Sequence, residues 1–200
     1  MTGRRPASKI SVVQQGIIAQ NEFAKLLMIG SGGKIELAAP ITDEERRDFE
    51  IHVKGQYGSV LAMQVKSALE IGTIGAGAAH YLRIHFDVRD SRLVSDPRFW
   101  YFCAFLDPAI MRFADPTFLI PSEELHRHAN PSRKGDVWHF TLEASMEAES
   151  HDRWIPYRVK QHELGKKVMA ITRELVKTGS GSRAASELLG IPGMVWARSV

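Results

Sequence analysis

Asp48-Phe49-Glu50-Ile51-His52-Val53, followed by Met63-Gln64-Val65-Lys66-Ser67, is the stretch whose reading decides the fold. Polar and apolar residues alternate in both runs, the period-two signature of strands with one buried face. A turn containing Gly55 and Gly58 separates them, so a hairpin is predicted from Asp48 to Lys54 and Ser59 to Ser67. With a three-residue loop, Gln56-Tyr57-Gly58, and Gly58 in the left-handed conformation, Gly55 pairs with Ser59, Glu50 faces Gln64 and Asp48 faces Lys66. These four polar side chains then share one face, and Phe49, Ile51 and Val53 supply the core from the other. An acidic residue, a second oxygen donor and a lysine on adjoining strands suit phosphodiester cleavage, which needs a hard cation and positive charge beside the scissile phosphate.

The remaining composition frames that reading. The chain has 200 residues, 44% hydrophobic and 24% charged, enough for one sizeable core and one domain. Its net charge of +3 permits nucleic-acid binding without requiring it. The one cysteine, Cys103, sits in the apolar run Phe99 to Leu106, which predicts buried packing and excludes a disulfide framework. Met1 to Pro6 is not followed by an apolar signal segment, and no stretch approaches the length of a membrane span, so a cytoplasmic protein is expected.

Upstream of the hairpin, a helix is predicted from Ser11, its N-cap, to Ile29, ending at Gly30-Ser31-Gly32-Gly33. Ile18, Leu26 and Ile29 are expected on its buried face, with Glu22 within or beside that stripe. Strands are predicted at Lys34 to Ile41, Tyr81 to Val88, Phe99 to Leu106, Thr117 to Ile120 and Val137 to Ala144. The aromatic run from Phe99 reads as a strand buried on both faces. A last strong helix spans about Gln161 to Lys177, with Leu164, Val168, Ile171 and Leu175 inward. The expected organisation is a flexible N-terminus (1–10), one α/β domain (11–178) and a tail with a short helix (179–200).

Helix with Glu22, strand, strand opening at Asp48, and strand carrying Gln64-Val65-Lys66: over residues 11 to 122 this order resembles the PD-(D/E)XK, or restriction-endonuclease-like, nuclease superfamily. The chain differs from the common motif in having Gln64 at the second acidic position and Arg47, not proline, before Asp48. The resemblance implies a mixed central sheet with flanking helices, built on a helix, a three-strand meander and further strands. It also implies that Asp48, the Gln64 side-chain oxygen and the Val65 carbonyl ligate Mg²⁺, with Mn²⁺ as a substitute. Lys66 would activate the attacking water, and Glu22 would hold a metal-bound water or second ion. Neutral Gln64 removes one negative charge from such a site, which Glu50 on the same face is placed to restore.

Other signals are weaker. Gly72 to His80 lacks the spacing and helix of a dinucleotide loop and reads as a flexible loop. His126, His128 and His139 match no zinc pattern and read as solvated histidines in a charged loop. Ser145 reads as a surface serine. Arg183 to Pro192 looks like the first helix of a helix-turn-helix, but the following Gly193 to Val200 is short and apolar for a base-reading helix. Phosphate contacts are expected from Arg46 and Arg47, and from Arg127, Arg133 and Lys134.

The function expected is therefore a Mg²⁺-dependent nuclease acting on nucleic acid, DNA before RNA, without a membrane, as a homodimer or as a subunit of a defence or repair assembly. The alternatives are an inactive module of the same fold binding nucleic acid or a protein, and a helix-turn-helix regulator using residues 183 to 200.

Overall fold

The computed structural model describes residues 10–40, 47–55, 60–74 and 79–177. Helix α1 (Val12–Gly30) opens on Ser11, whose hydroxyl accepts from the Gln14 amide while the Gln14 side chain accepts from Ser11, a reciprocal capping box. It closes at Ser31, with Gly32 and Gly33 both at positive φ. Strands β1 (Ile35–Ala38), β2 (Phe49–Val53) and β3 (Leu61–Ala68) follow as an antiparallel meander.

A hairpin of β4 (Ile71–Ile74) and β5 (Ala79–Arg89) comes next, then β6 (Phe99–Asp107), β7 (Arg112–Pro121) and α2 (Ser122–His128). The chain continues through β8 (Ser132–Lys134), β9 (Val137–Ser145), β10 (Arg158–Val159) and α3 (Leu164–Lys177). Among these helices none is long and apolar enough to cross a membrane.

The strands form a mixed six-stranded sheet, ordered β1-β2-β3-β6-β7-β10, and an antiparallel four-stranded sheet, ordered β4-β5-β9-β8. In the first, β3 and β6 run parallel from Ala62/Phe99 to Ala68/Phe105. Alternation along β6 divides two cores. Phe102, Ala104 and Leu106 pack with Phe23 and Leu27 of α1 and Val168 of α3, whereas Phe99, Tyr101 and Cys103 pack with Leu82, Ile84 and Phe86 of β5 and Phe140 of β9. The fold is thus the expected single α/β domain with a mixed sheet, but α1 and α3 cover one face of that sheet and the second sheet covers the other.

Several local expectations change. On α1 the buried stripe is Ala19, Phe23 and Leu27; Ile29 is 74% exposed, and Ile18 and Leu26 pack only at the core's edge. The Phe23 ring sets the helix's rotation, lying 4.8 Å from the Phe102 ring centroid. Gly72 lies in a strand opposite Tyr81 and not in a loop. The segment around Thr117 extends to ten residues because the β6–β7 register shifts between Cys103 and Phe105, giving Pro116 a bulge that does not need its missing N–H. The expected helix and helix-turn-helix beyond residue 178 lie outside the described residues, as do Gln56 to Ser59 of the hairpin loop.

No sequence signal announced the closest backbone approach. A Cβ on Gly165, in the first turn of α3, would lie 2.4 Å from the carbonyl carbon of Gly30 and from the amide of Ser31. Only two glycines let the helices touch there. We expect Gly165→Ala to destabilise the fold by about 3 kcal/mol or more, read as a fall in thermal midpoint. Gly16→Ala, where nothing lies within 4 Å, should instead stabilise α1 by roughly 0.5–1 kcal/mol.

Candidate active site

β3 is longer than the part of it that β2 covers. Pairing runs Phe49–Met63, Glu50–Ala62 and Ile51–Leu61, and the Asp48 amide donates to the Met63 carbonyl at 2.8 Å. Beyond that point no described strand pairs with the β2 side of β3, and side chains serve its backbone. The Val65 N–H donates to Asp48 Oδ2 at 2.6 Å, and the Gln64 side-chain amide donates to the same oxygen at 2.8 Å. Gln20 Nε2, from α1, donates to Asp48 Oδ1 at 2.8 Å. One turn nearer the start of α1, Gln15 Nε2 donates to the Ser67 carbonyl at 2.8 Å and lies 3.0 Å from its hydroxyl.

The hairpin register is therefore two residues away from the expected one. Glu50 faces Ala62, not Gln64, and Asp48 joins Gln64, not Lys66. A slip of two keeps every side chain on its face and leaves apolar residues opposite apolar residues, so alternation fixed the faces and could not fix the register. Glu50 is engaged with Arg47 at 3.0 Å and lies 3.9 Å from His52 Nε2. The charge expected of it beside Gln64 goes to these neighbours.

Gln64 is buried, and Lys66 is half-buried. Both point towards the second sheet. Lys66 stands opposite Cys103 on β6, with Nζ 5.6 Å from the Phe86 ring centroid. Burial pushes the Cys103 thiol up to about 12, with the Lys66 ammonium pulling weakly the other way, so the cysteine is inert packing as expected. Glu22 is a buried carboxylate on α1, ion-paired with Lys25 one turn on. It sits among the buried residues of the helix instead of reaching water from the stripe's edge.

Asp48, Gln64 and Val65 therefore meet at one point, Lys66 shares the Gln64 face about 7 Å along the strand, and Glu50 is directed elsewhere. Among the described residues, no three His, Cys, Asp or Glu side chains gather as a metal-binding group. A polar cleft lined in part by His128, Asn130, Thr141 and Arg153 lies away from these residues, and none of them lines it.

Of the expected phosphate contacts, Arg46 lies outside the described residues. Arg47 pairs with Glu50, Arg127 on α2 pairs with Glu124 at 2.9 Å, and Arg133 on β8 pairs with Asp90 and stands 5.7 Å from the Trp138 ring centroid. Lys134, next to Arg133, is exposed. Arg127 lies on α2 and Arg133 and Lys134 on β8, and the three described arginines carry acidic partners, so Arg127, Arg133 and Lys134 do not share one loop.

Two discounted side chains are also reassigned. Ser145 is buried at the end of β9, where its amide donates to Asp152 at 2.5 Å and its hydroxyl accepts from the Glu147 amide. His126 is not a solvated loop residue: Ser95 Oγ and Tyr101 OH lie 2.7 and 2.9 Å from its two ring nitrogens, and its ring packs on Tyr101 and Phe140. His139 pairs with Asp87 in the open. The residue that sequence reading missed at the site is Gln20, because an uncharged glutamine on a helix carries no signal of what lies beside it; Gln15 ties α1 to β3 away from Asp48.

No family model and no curated protein matches the chain. A solved bacterial homing endonuclease, I-Ssp6803I, is similar in structure, with 18% identity and a TM-score of 0.48 over 84% of this chain and 98% of that one. Neither shared site residues nor shared activity follows from a likeness at that level.

Burial lowers the His126 pKa from 6.5 to about 4, so the native state keeps this imidazole neutral where the unfolded chain takes a proton. Its contribution is complete above pH 6.5 and is lost as pH falls towards 4. Denaturation followed across that window should show a falling limb that His126→Gln lacks.

Proposed function

We propose that the chain hydrolyses phosphodiester bonds of nucleic acid, DNA before RNA, with Mg²⁺ as its cation and Mn²⁺ as a substitute. The observation that carries this reading is the convergence of Asp48 with the Gln64 side-chain amide and the Val65 N–H, at 2.6 to 2.8 Å, on the β2 side of β3. These residues carry the oxygen ligands a hard cation takes, a carboxylate, an amide oxygen and a main-chain carbonyl, with the Gln64 amide turned over from the orientation in which its nitrogen meets Asp48. Asp48, Gln64 and the Val65 carbonyl would hold the ion, with Glu22 as a further carboxylate on α1.

When bound, such an ion supplies Lewis acidity and lowers the proton affinity of a coordinated water. Asp48 provides the negative charge that attracts it. Lys66 offers a fixed positive charge on the adjacent face, where it offsets the negative charge that grows on the phosphate oxygens as the bond breaks. Its Nζ lies over the Phe86 ring, which limits where the ammonium travels. Arg47 and Lys134 are surface cations suited to sequence-neutral phosphate contact, whose strength falls with salt.

Cleavage assays on DNA and RNA, single- and double-stranded, with and without divalent cations, test this directly. Asp48→Ala and Lys66→Ala should each lower the rate by about 10² or more, in folded protein. A second reading is favoured by the N–H groups of Gln20, Gln64 and Val65 that Asp48 accepts, which give that residue a structural task as a cap on the part of β3 that no described strand pairs. The chain would then bind nucleic acid or a protein without cutting. Absence of cleavage with every divalent ion, alongside retained salt-sensitive binding, selects that reading.

Gln64→Glu separates the two as well. It replaces an amide donor 2.8 Å from Asp48 with a second carboxylate, so like charges face each other until a cation neutralises them. The variant should melt lower than wild type without metal and gain more from Mn²⁺. A midpoint indifferent to metal would count against an ion at this place.

A further inference from the structure

Asp48 is anchored through both oxygens, and the anchors differ in origin. Oδ2 receives the Gln64 side chain and the Val65 amide, both belonging to β3. Oδ1 receives Gln20, which belongs to α1, twenty-eight positions away in the chain. The χ2 torsion of an aspartate is broad, so a carboxylate tied at one oxygen still rocks about its axis. A donor on the other oxygen fixes the plane, and with it the directions of the remaining lone pairs.

We propose that Gln20 is a positioning residue for Asp48, setting the carboxylate plane in which a cation is met. This rests on the nuclease reading above. Gln20 presents its amide nitrogen, because an ionised carboxylate only accepts. It adds no charge to the site. Gln15, which bonds Ser67 further along the same strand, ties α1 to β3 without touching Asp48 and is the natural comparison.

The test measures Mn²⁺ binding by titration of the full chain, and the metal concentration that gives half-maximal cleavage, in wild type, Gln20→Ala and Gln15→Ala. Loss of a group that orients a metal-ligating carboxylate typically costs about 10-fold or more in affinity. Gln20→Ala should therefore weaken Mn²⁺ binding about tenfold and raise the metal requirement by the same factor, with the rate largely restored at saturating metal. Gln15→Ala should leave both within about twofold of wild type while lowering the melting temperature at least as much as Gln20→Ala does, since it removes two hydrogen bonds between α1 and the sheet where Gln20→Ala removes one. Wild-type metal affinity and metal requirement in Gln20→Ala would overturn the proposal and leave the contact a structural tie. A wild type that neither binds Mn²⁺ nor cleaves overturns the nuclease reading, and the positioning role falls with it.

Discussion

Among the described residues, β3 has a parallel neighbour from Ala62 to Ala68 on one side and an antiparallel neighbour from Leu61 to Met63 on the other. Its main-chain groups beyond Gln64 still need partners, since an unpaired amide in a largely buried strand costs about as much as a lost hydrogen bond. The Asp48 carboxylate takes the Val65 N–H, and Gln15 takes the Ser67 carbonyl. Phe23 and Leu27 dock α1 on the sheet, and these hydrogen bonds tie its polar edge and the start of β2 to β3. They also gather the polar side chains of the candidate site where the core would otherwise continue.

The two-layered cover follows from the same central strands. β6 is apolar on both faces, so each face needs a layer, and the chain supplies helices for one and a second sheet for the other. Lys66 therefore points into a boundary between sheets, beside Phe86 and opposite Cys103, not out over a hairpin. An ammonium held against an aromatic ring keeps a defined place while its charge stays partly solvated.

Much of this was legible in the chain. The capping box at Ser11, the alternation of β2, β3, β5 and β9, and the doubly buried run from Phe99 all state their structure through local period and composition. So do the site's faces, since parity puts Asp48 and Gln64 together whichever even register holds. What stayed hidden is what period cannot encode. A two-residue slip is invisible to alternation, and the pairing of β4, β5, β9 and β8 into a separate sheet depends on long-range partners. His126 looked like one of several polar residues because nothing nearby in sequence names Tyr101, Phe140 and Ser95 as its surroundings. Gln20 was unreadable for the same reason: its task is defined by a residue on another element.

The glycine contact between α1 and α3 carries a mechanical implication. Gly30 lies ten residues, or about 15 Å of helix rise, from Gln20, so the crossing acts as a fulcrum for the arm that reaches Asp48. A tilt of about 4° there swings Gln20 by about 1 Å over that arm, enough to stretch a 2.8 Å hydrogen bond past the limit of its range. Bulk introduced at Gly165 would thus be felt at a carboxylate it never approaches, as a change in aim and not only as a loss of stability.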